Sequence, residues 1–298
     1  MSWASRSAAS RVRAPRSTHV RGELAEEILG PPRFFARTVE GLGWDTLGHG
    51  SIRSVTTEQS DINHLGQPIG RLVPRWIPRP RPIARPIEGR WCRLEPLDAA
   101  HHADDLYRAN SADERGRMWT YLPYGPFESP ECYCAWLEQV VGRDDPMFLA
   151  IVDGKGRAVG VAALQRIDRE NGTIEVGHLA YSPALQATRA ATEAMALMMR
   201  LVFEELGYRR YEWKCDSLNA ASRRAAERLG FVYEGTFRQA VVVRGRNRDT
   251  AWFSITDVEW PRLAVAYDRW LTEDNFDTEG HQRLALSKLT LSNPPRDR

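Results

Sequence analysis

The chain has 298 residues, 42% of them hydrophobic and 27% charged, enough apolar material for a sizeable core. Lys and Arg number 41 against 39 Asp and Glu, a formal charge of +2 that gives no global electrostatic case for nucleic acid. No run of about 18 apolar residues is present, so no membrane span is expected. The four cysteines, Cys92, Cys132, Cys134 and Cys215, lack C-x-x-C spacing and read as reduced thiols rather than a zinc or redox site.

Residues 1–22 hold five Arg and five Ser with no acid before Glu23. That composition fits an organellar transit peptide, hence a matrix location, and equally a disordered arm. The lack of a sustained amphipathic period favours the arm, and a cytoplasmic protein. Glu23–Leu29 reads as a turn or two of helix ended by Gly30, Pro31 and Pro32, and the stretch to Gly70 shows no lasting pattern. Residues 1–70 are therefore expected to be poorly patterned or disordered. Over residues 71–90 prolines at 74, 78, 80, 82 and 86 alternate with arginines. An extended, polyproline-like strap is expected there, with Trp76 and Ile77 as anchors.

The folded domain is expected over residues 91–271. Trp91–Leu94 reads as a strand broken by Pro96, and Asp98 as the N-cap of a helix to about Asn110. Ser129 and Pro130 suit the start of a second helix to Val141, with Cys134, Leu137 and Val141 on one face. Between these helices, Met118–Phe127 is too apolar for ordinary surface. Its Trp119 and Tyr121 either plug the core or wall an amine-binding pocket. Met147–Val152 and Ala158–Leu164 flank an Asp153-Gly154 hairpin signal, and Gln165–Gly172 reads as a polar turn.

Thr173–Ala180 is the next strand, interrupted by Gly177 and stopped at Tyr181-Ser182-Pro183. Gln186–Ala191 then opens a helix to Leu206, and a strand ending at a helix N-terminus is a natural anion site. Arg209–Cys215 is a strand, Asn219–Leu229 a short helix closed by Gly230, and Phe231–Phe237 a third strand. Phe237–Val243 and Thr250–Ile255 form a hairpin about a basic turn at Arg244–Asp249. Trp260–Leu271 is a covering helix, and residues 272–298 are expected to be a loose polar tail.

Gln186, Arg189 and Ala191 in the turn, and Asn219-Ala220-Ala221-Ser222 followed by Glu227-Arg228-Leu229-Gly230-Phe231, carry a family likeness within this order of elements. The chain resembles the GCN5-related N-acetyltransferases, specifically the RimJ/RimL-type branch that acetylates ribosomal-protein N-termini. The resemblance implies an α+β fold with a mixed, splayed sheet, and acetyl-CoA as co-substrate without a metal. It assigns pantetheine contacts to Leu179 and Ala180, and pyrophosphate contacts to Gln186, Ala187, Thr188, Arg189, Ala190, Ala191 and Thr192. Arg189 stands where the family has Gly; its guanidinium could pair with a phosphate. Asn219 and Ser222 are implied to line the cofactor site. Ala226 replaces the tyrosine that many members use as acid, which leaves Ser222 as the candidate. The acceptor-side loop is implied at Trp119 and Tyr121.

Ordinary structural roles stand beside each of these: helix capping for Thr188, Asn219 and Ser222, and relief of crowding for Gly177. Attack by an amine on a thioester requires a free lone pair. Glu175 is the candidate base, with His178 as runner-up; Glu175 reads equally as a salt-bridged strand residue. Three apart in a strand, the two face opposite sides unless a bulge resets the alternation. The expected function is direct transfer of acetyl from acetyl-CoA to an amine, most simply a protein α-amino group. A small amine acceptor, such as an antibiotic, polyamine or amino acid, is the first alternative, and a non-catalytic acyl-CoA-binding or RNA-associated protein the second.

Overall fold

The computed structural model describes residues 60–291; the Arg/Ser-rich start, the expected turn of helix at Glu23–Leu29 and the chain end beyond Leu291 lie outside them. Residues up to Arg71 belong to a unit of their own. There β1 (Asp61–Ile62) pairs antiparallel with β2 (Pro68–Ile69), where no pattern was expected. Asn63 closes the turn, its side-chain oxygen accepting from the N–H groups of Leu65 and Gln67, the local chemistry that makes Asn a turn residue.

The second unit opens with the strap. Trp76 anchors it: the indole N–H donates to the Glu170 carbonyl at 2.7 Å, and the ring packs so tightly on Gly172 that a Cβ there would sit 2.4 Å from it. Ile77, the second expected anchor, is 64% exposed. Tyr208 instead makes the further attachment, donating its hydroxyl to the Pro80 carbonyl. The strap ends in β3 (Ile87–Glu88) and turns into β4 (Cys92–Pro96). Buried Glu193 receives the N–H groups of Arg90, Trp91 and Cys92 at 2.8, 2.6 and 2.8 Å. One carboxylate thus ties the domain entry to the helix that forms the floor of the cleft described below.

Two helices follow, each started by its own cap. Asp98 accepts from His101 N–H at the head of α1 (Ala99–Ser111), and Ser129 from Cys132 N–H at the head of α2 (Pro130–Val140). The buried face of α2 is Tyr133, Leu137 and Val140, so the packed stripe lies one residue from the expected one. Strands β5 (Met147–Asp153), β6 (Ala158–Asp168) and β7 (Thr173–Tyr181) then run antiparallel. Because β6 continues to Asp168, the first half of the expected polar turn is strand and only residues 169–172 turn. Next come α3 (Arg189–Arg200), extended by a π-helical turn over Leu201–Glu205, then β8 (Arg210–Asp216) and α4 (Ala220–Arg228).

The last strands are β9 (Val232–Val243) and β10 (Arg246–Thr256), followed by α5 (Trp260–Leu271). The two expected strands on either side of Phe237 are one strand, and the turn is only Arg244 and Gly245. The tail is not loose through Leu291. Phe276 and Leu286 are buried, Asn275 bonds the carbonyls of Trp270 and Leu284, and a short α6 (Leu286–Thr290) packs on α5.

The eight-stranded sheet has the order β3-β4-β5-β6-β7-β8-β10-β9, antiparallel except where β7 meets β8. This is the expected mixed α+β architecture. One core fills the face beneath α3 and α5, and a second fills the other face under α1 and α2. The parallel pairing covers only Thr173–Val176 against Arg210–Trp213. Beyond Val176, β7 stays with β6 while β8 follows β10 to Asp216. The sheet forks there, and the fork positions the site.

Candidate functional site

The fork opens into a cleft of about 1170 Å³ bounded by β7, the head of α3, α4 and the segment after α5. A bulge shapes its β7 wall. The β6 partner register passes from Ala163↔Gly177 to Val161↔Ala180, so His178 and Leu179 stand opposite Ala162 alone, with His178 at φ 51°. Gly177 has the crowding role as well: a Cβ there would lie 2.1 Å from Gln165 Nε2. Ser182 N–H donates to Val159, and by alternation Ala180 also bonds toward β6. Leu179 and Tyr181 are left facing the gap, and Gln186 Nε2 donates to the Tyr181 carbonyl there at 2.8 Å. Leu179 lines the cleft, whereas Ala180 does not: its side chain is 2% exposed in the core under α1 and α2.

The head of α3 forms the floor. Thr188 caps the helix, accepting from Ala191 N–H at 3.1 Å and donating to the Leu185 carbonyl at 2.7 Å. Ala187, at φ 60°, turns the chain into it. Gln186, Ala187, Thr188, Arg189, Ala191 and Thr192 line the cleft; Ala190 instead packs against the core. The helix begins at Arg189, and beside the Ala191 N–H that Thr188 takes, the N–H groups of Arg189 and Ala190 have no intrahelical partner, a positive end. The Arg189 guanidinium lies 4.1 Å from the Trp91 ring centre and 4.4 Å from that of Phe276. Phe276, Gly280, His281 and Gln282 also line this end, so the segment expected to be a loose tail is part of the wall.

At the opposite end, Asn219 caps α4 by accepting from Ser222 N–H at 3.0 Å, and both residues line the cleft. Ser222 Oγ accepts from Trp213 Nε1 at 2.9 Å. An indole N–H can only donate, so this contact occupies a lone pair of Ser222 and leaves its own proton to be given elsewhere. The thiol of Cys215, pushed up by burial and held back by the Ser222 hydroxyl, lies beside the same oxygen. Nothing in the sequence reading singled out Trp213. Its signal is its place two residues from Cys215 on the core face of β8, where an indole has no apolar reason to prefer Trp to Phe.

The other face of the fork holds both base candidates, because the bulge turns His178 to the side of Glu175. Glu175 is 3% exposed; Lys214 Nζ lies 2.9 Å and Gln165 Nε2 2.8 Å from its carboxylate, and Arg166 adds a longer contact at 3.5 Å. That is the salt-bridged alternative. His178 is half-buried, stacked on Tyr124 with ring centres 5.6 Å apart, and its Nδ1 is 3.3 Å from the Tyr124 hydroxyl. Burial and then the nearby Arg166 lower its pKa below the ordinary histidine value, so the ring is neutral near pH 7. The Tyr124 phenol is itself pushed up by burial and stays protonated.

The acceptor loop divides its two candidates. Trp119 is 5% exposed, edge-on to Phe127 and covered by Gly125; it plugs the core and does not line the cleft. Tyr121 lines it, and its hydroxyl donates to the Leu218 carbonyl at 3.3 Å, joining the loop to the approach of α4. Arg244 reaches from the β9–β10 turn to the Gly125 carbonyl at 2.7 Å. Among the described residues no group of three or more His, Cys, Asp or Glu side chains is placed to hold a metal.

A family model described as an acetyltransferase (GNAT) domain matches residues 92–232. The SPbeta prophage-derived uncharacterized N-acetyltransferase YokL of Bacillus subtilis (strain 168) is 30% identical over 125 residues, 42% of this chain and 70% of YokL. YdaF of the same organism, named as a proposed ribosomal N-acetyltransferase, is 29% identical over 172 residues, 56% of this chain and 90% of YdaF. The crystal structure of a GCN5-related N-acetyltransferase from Brucella melitensis is 47% identical with a TM-score of 0.71, covering 72% of this chain and 98% of that one.

Proposed function

This chain belongs to the GNAT family of N-acetyltransferases, with acetyl-CoA as co-substrate, and from that premise we propose that its acceptor is a protein N-terminal α-amino group. The observation that carries the chemistry is the Ser222 hydroxyl, which accepts from Trp213, lines the cleft at the fork and keeps a proton of its own to give. The acceptor reading is supported by the likeness to YdaF and by an acceptor rim with one acid. Asp113 is the one carboxylate among the described residues lining the cleft, and an incoming ammonium needs such a partner before it is deprotonated.

In this mechanism the acetyl thioester lies along the Leu179 edge of β7, where a backbone N–H not used by β6 receives the developing oxyanion. His178, neutral and set behind the cleft lining, takes the amine proton through one water. The amine nitrogen bonds to the thioester carbonyl carbon, gives its second proton to solvent, and the C–S bond breaks. Ser222 gives its proton to the departing thiolate and regains one from solvent, while His178 returns its proton to solvent. Glu175 serves as the fixed counter-charge of Lys214 rather than as the base. The step is a direct transfer between two bound substrates.

Thiol release from acetyl-CoA, measured against matched panels of N-terminal peptides and small amines, tests the reading. Peptides are expected to be turned over with the higher kcat/KM. Ser222→Ala should lower kcat about 100-fold or more while leaving acetyl-CoA affinity within about threefold. Turnover confined to the small-amine panel would replace the protein acceptor, and an unchanged kcat in Ser222→Ala would remove the serine from its role.

A further inference from the structure

A second cavity lies outside the cleft. It occupies about 330 Å³ between the last turn of α1, α2 and the loop that carries Trp119, the lower end of the range for small-ligand sites. Tyr107, Trp119, Phe127 and Tyr133 wall it, and the Tyr133 ring meets Phe127 edge-on at 5.0 Å. Two polar side chains stand among these rings. Asn110 is 5% exposed and Tyr133 1%, and both line the cavity. Among the described residues, neither the Asn110 amide nitrogen, nor its amide oxygen, nor the Tyr133 hydroxyl has a hydrogen-bond partner. Burial pushes the phenol up, so it keeps its proton, and the adjacent Asn110 amide tempers that rise without meeting it in a hydrogen bond.

The chain satisfies comparable groups elsewhere. Buried Asn275 donates to the Trp270 and Leu284 carbonyls and accepts from Leu284 N–H, and buried Tyr267 donates to the Leu229 carbonyl at 2.8 Å. A buried donor or acceptor left unmet costs stability. An orphaned amide and phenol that face one cavity are therefore groups held for something that enters it.

The chemistry of Asn110 selects what that is. Its donor and acceptor sit side by side, so the complementary group presents an acceptor and a donor side by side. Turning the amide over changes nothing, because both of its polar atoms are unpartnered. An ammonium or guanidinium carries donors alone and would leave Nδ2 unmet, and Arg115, which also lines the cavity, repels it. A carboxylate carries acceptors alone, would leave Oδ1 unmet and would face Asp113 and Glu114. A primary carboxamide meets both ends of Asn110 and keeps a second N–H for the Tyr133 oxygen, while an aliphatic stem suits the aromatic walls.

We infer that this cavity binds a primary carboxamide. The source follows from its position: Asp113, the carboxylate assigned to the incoming ammonium, lines both the cleft and this cavity. An acceptor whose α-amino group stands at Asp113 brings one of its next residues to the cavity, so the ligand is the side chain of an Asn or Gln close behind the acceptor's N-terminus. That source rests on the protein-acceptor reading and adds a sequence preference to it. A free small amide offers the same chemistry.

Thiol release with peptides carrying Gln, Glu or Met in turn at the second, third and fourth residues tests the inference. At one of these places Gln is expected to raise kcat/KM about 10-fold over both Glu and Met, the combined effect of two neutral hydrogen bonds. That ratio should fall to within about twofold in Asn110→Leu, and by less in Tyr133→Phe. Saturation-transfer NMR with propionamide and propionate reads the cavity without the reaction: propionamide is expected to bind the unaltered protein and not Asn110→Leu, and propionate neither. Thermal melting of Asn110→Leu should match or exceed that of the unaltered protein, because an unpaired buried amide has gone. Propionamide bound in this way with no Gln preference assigns the cavity to a free carboxamide in place of the acceptor. Neither a Gln preference nor propionamide binding, or a carboxamide response that survives both substitutions, overturns this inference alone. Turnover of small amines but of no peptide overturns the protein-acceptor reading, and the propionamide titration then decides for the cavity by itself.

Discussion

The two faces of the fork treat charge in opposite ways. On the acceptor face the charges alternate along a closed chain: Lys214 Nζ lies 2.9 Å from Glu175 and 2.7 Å from Glu212, and Arg210 continues from Glu212 to Glu234. The Trp252 ring, 3.8 Å from Lys214 Nζ, covers the middle. On the cofactor face, Arg189 and Arg228 have aromatic rings and a hydroxyl in place of carboxylates. Both faces remove cations from water, which costs several kcal/mol per ion unless compensated. Among the described residues, the chain compensates those that join β7, β8 and β9 and gives no carboxylate to those of the cleft. Charge closed on itself reads as scaffold, and charge left open reads as a seat for a ligand.

Breaking the closed side should have the largest effect. Lys214→Met takes the shared cation from Glu175 and Glu212, whose side chains are 4% and 12% exposed, leaving buried Glu175 with Gln165 and the longer Arg166 contact, and is expected to cost about 3–5 kcal/mol in a urea unfolding series. Next comes the base. His178→Gln should lower kcat about 100-fold. A base works unprotonated and burial depresses this histidine, so in the unaltered protein activity should fall with decreasing pH only below the ordinary value of about 6.5. That acid limb should vanish in His178→Gln. The same depression means that the stability linked to His178 is present above that ordinary value and declines as pH falls below it.

Glu175→Gln sharpens the comparison from the other direction. Lys214 keeps Glu212, so the expected stability loss is about 1–3 kcal/mol, with kcat within about threefold of the unaltered enzyme when both are folded. A loss of kcat equal to that of His178→Gln would make Glu175 the base and the closed chain part of the catalytic machinery. The smallest effect belongs to the helix cap. Asn219→Ala removes the acceptor of Ser222 N–H and should cost about 1 kcal/mol by thermal melting, with any further loss of acetyl-CoA affinity read separately by calorimetry.

Much of the fold was legible because its signals are local. Asp98, Ser129, Thr188 and Asn219 stand as side-chain caps at the heads of their helices, and each bonds an N–H within three residues. Gly230, at φ 96°, closes α4 as a glycine there should. The hairpin turn was misplaced because Arg246–Asp249 is polar throughout, and polarity marks an exposed strand as readily as a turn. The tail was misread because Phe276 is isolated in a polar stretch and Leu284–Leu286 is too short an apolar run to signal an element; the burial of Phe276 and Leu286 depends on the ends of α4 and α5 being beneath them. Among the site residues, Trp119 and Tyr121 share one loop and one composition. Only packing against Phe127 and Gly125 sends Trp119 inward and leaves Tyr121 at the rim.

By itself the sequence determined the order of strands and helices, the helix heads, and the turn and α4 motifs through which the family was legible. Those follow from caps, glycines and periodicities that act over a few residues. The tertiary structure alone decided that a bulge puts His178 on the face of Glu175, that Lys214 has claimed Glu175, that Trp213 fixes the Ser222 hydroxyl, and that no carboxylate among the described residues meets Arg228. Each is a relation between residues on different strands or helices, or a register set by the neighbouring strand. Free energy of ion pairing and burial depends on what the fold brings within a few ångströms, which composition and spacing along one chain do not contain.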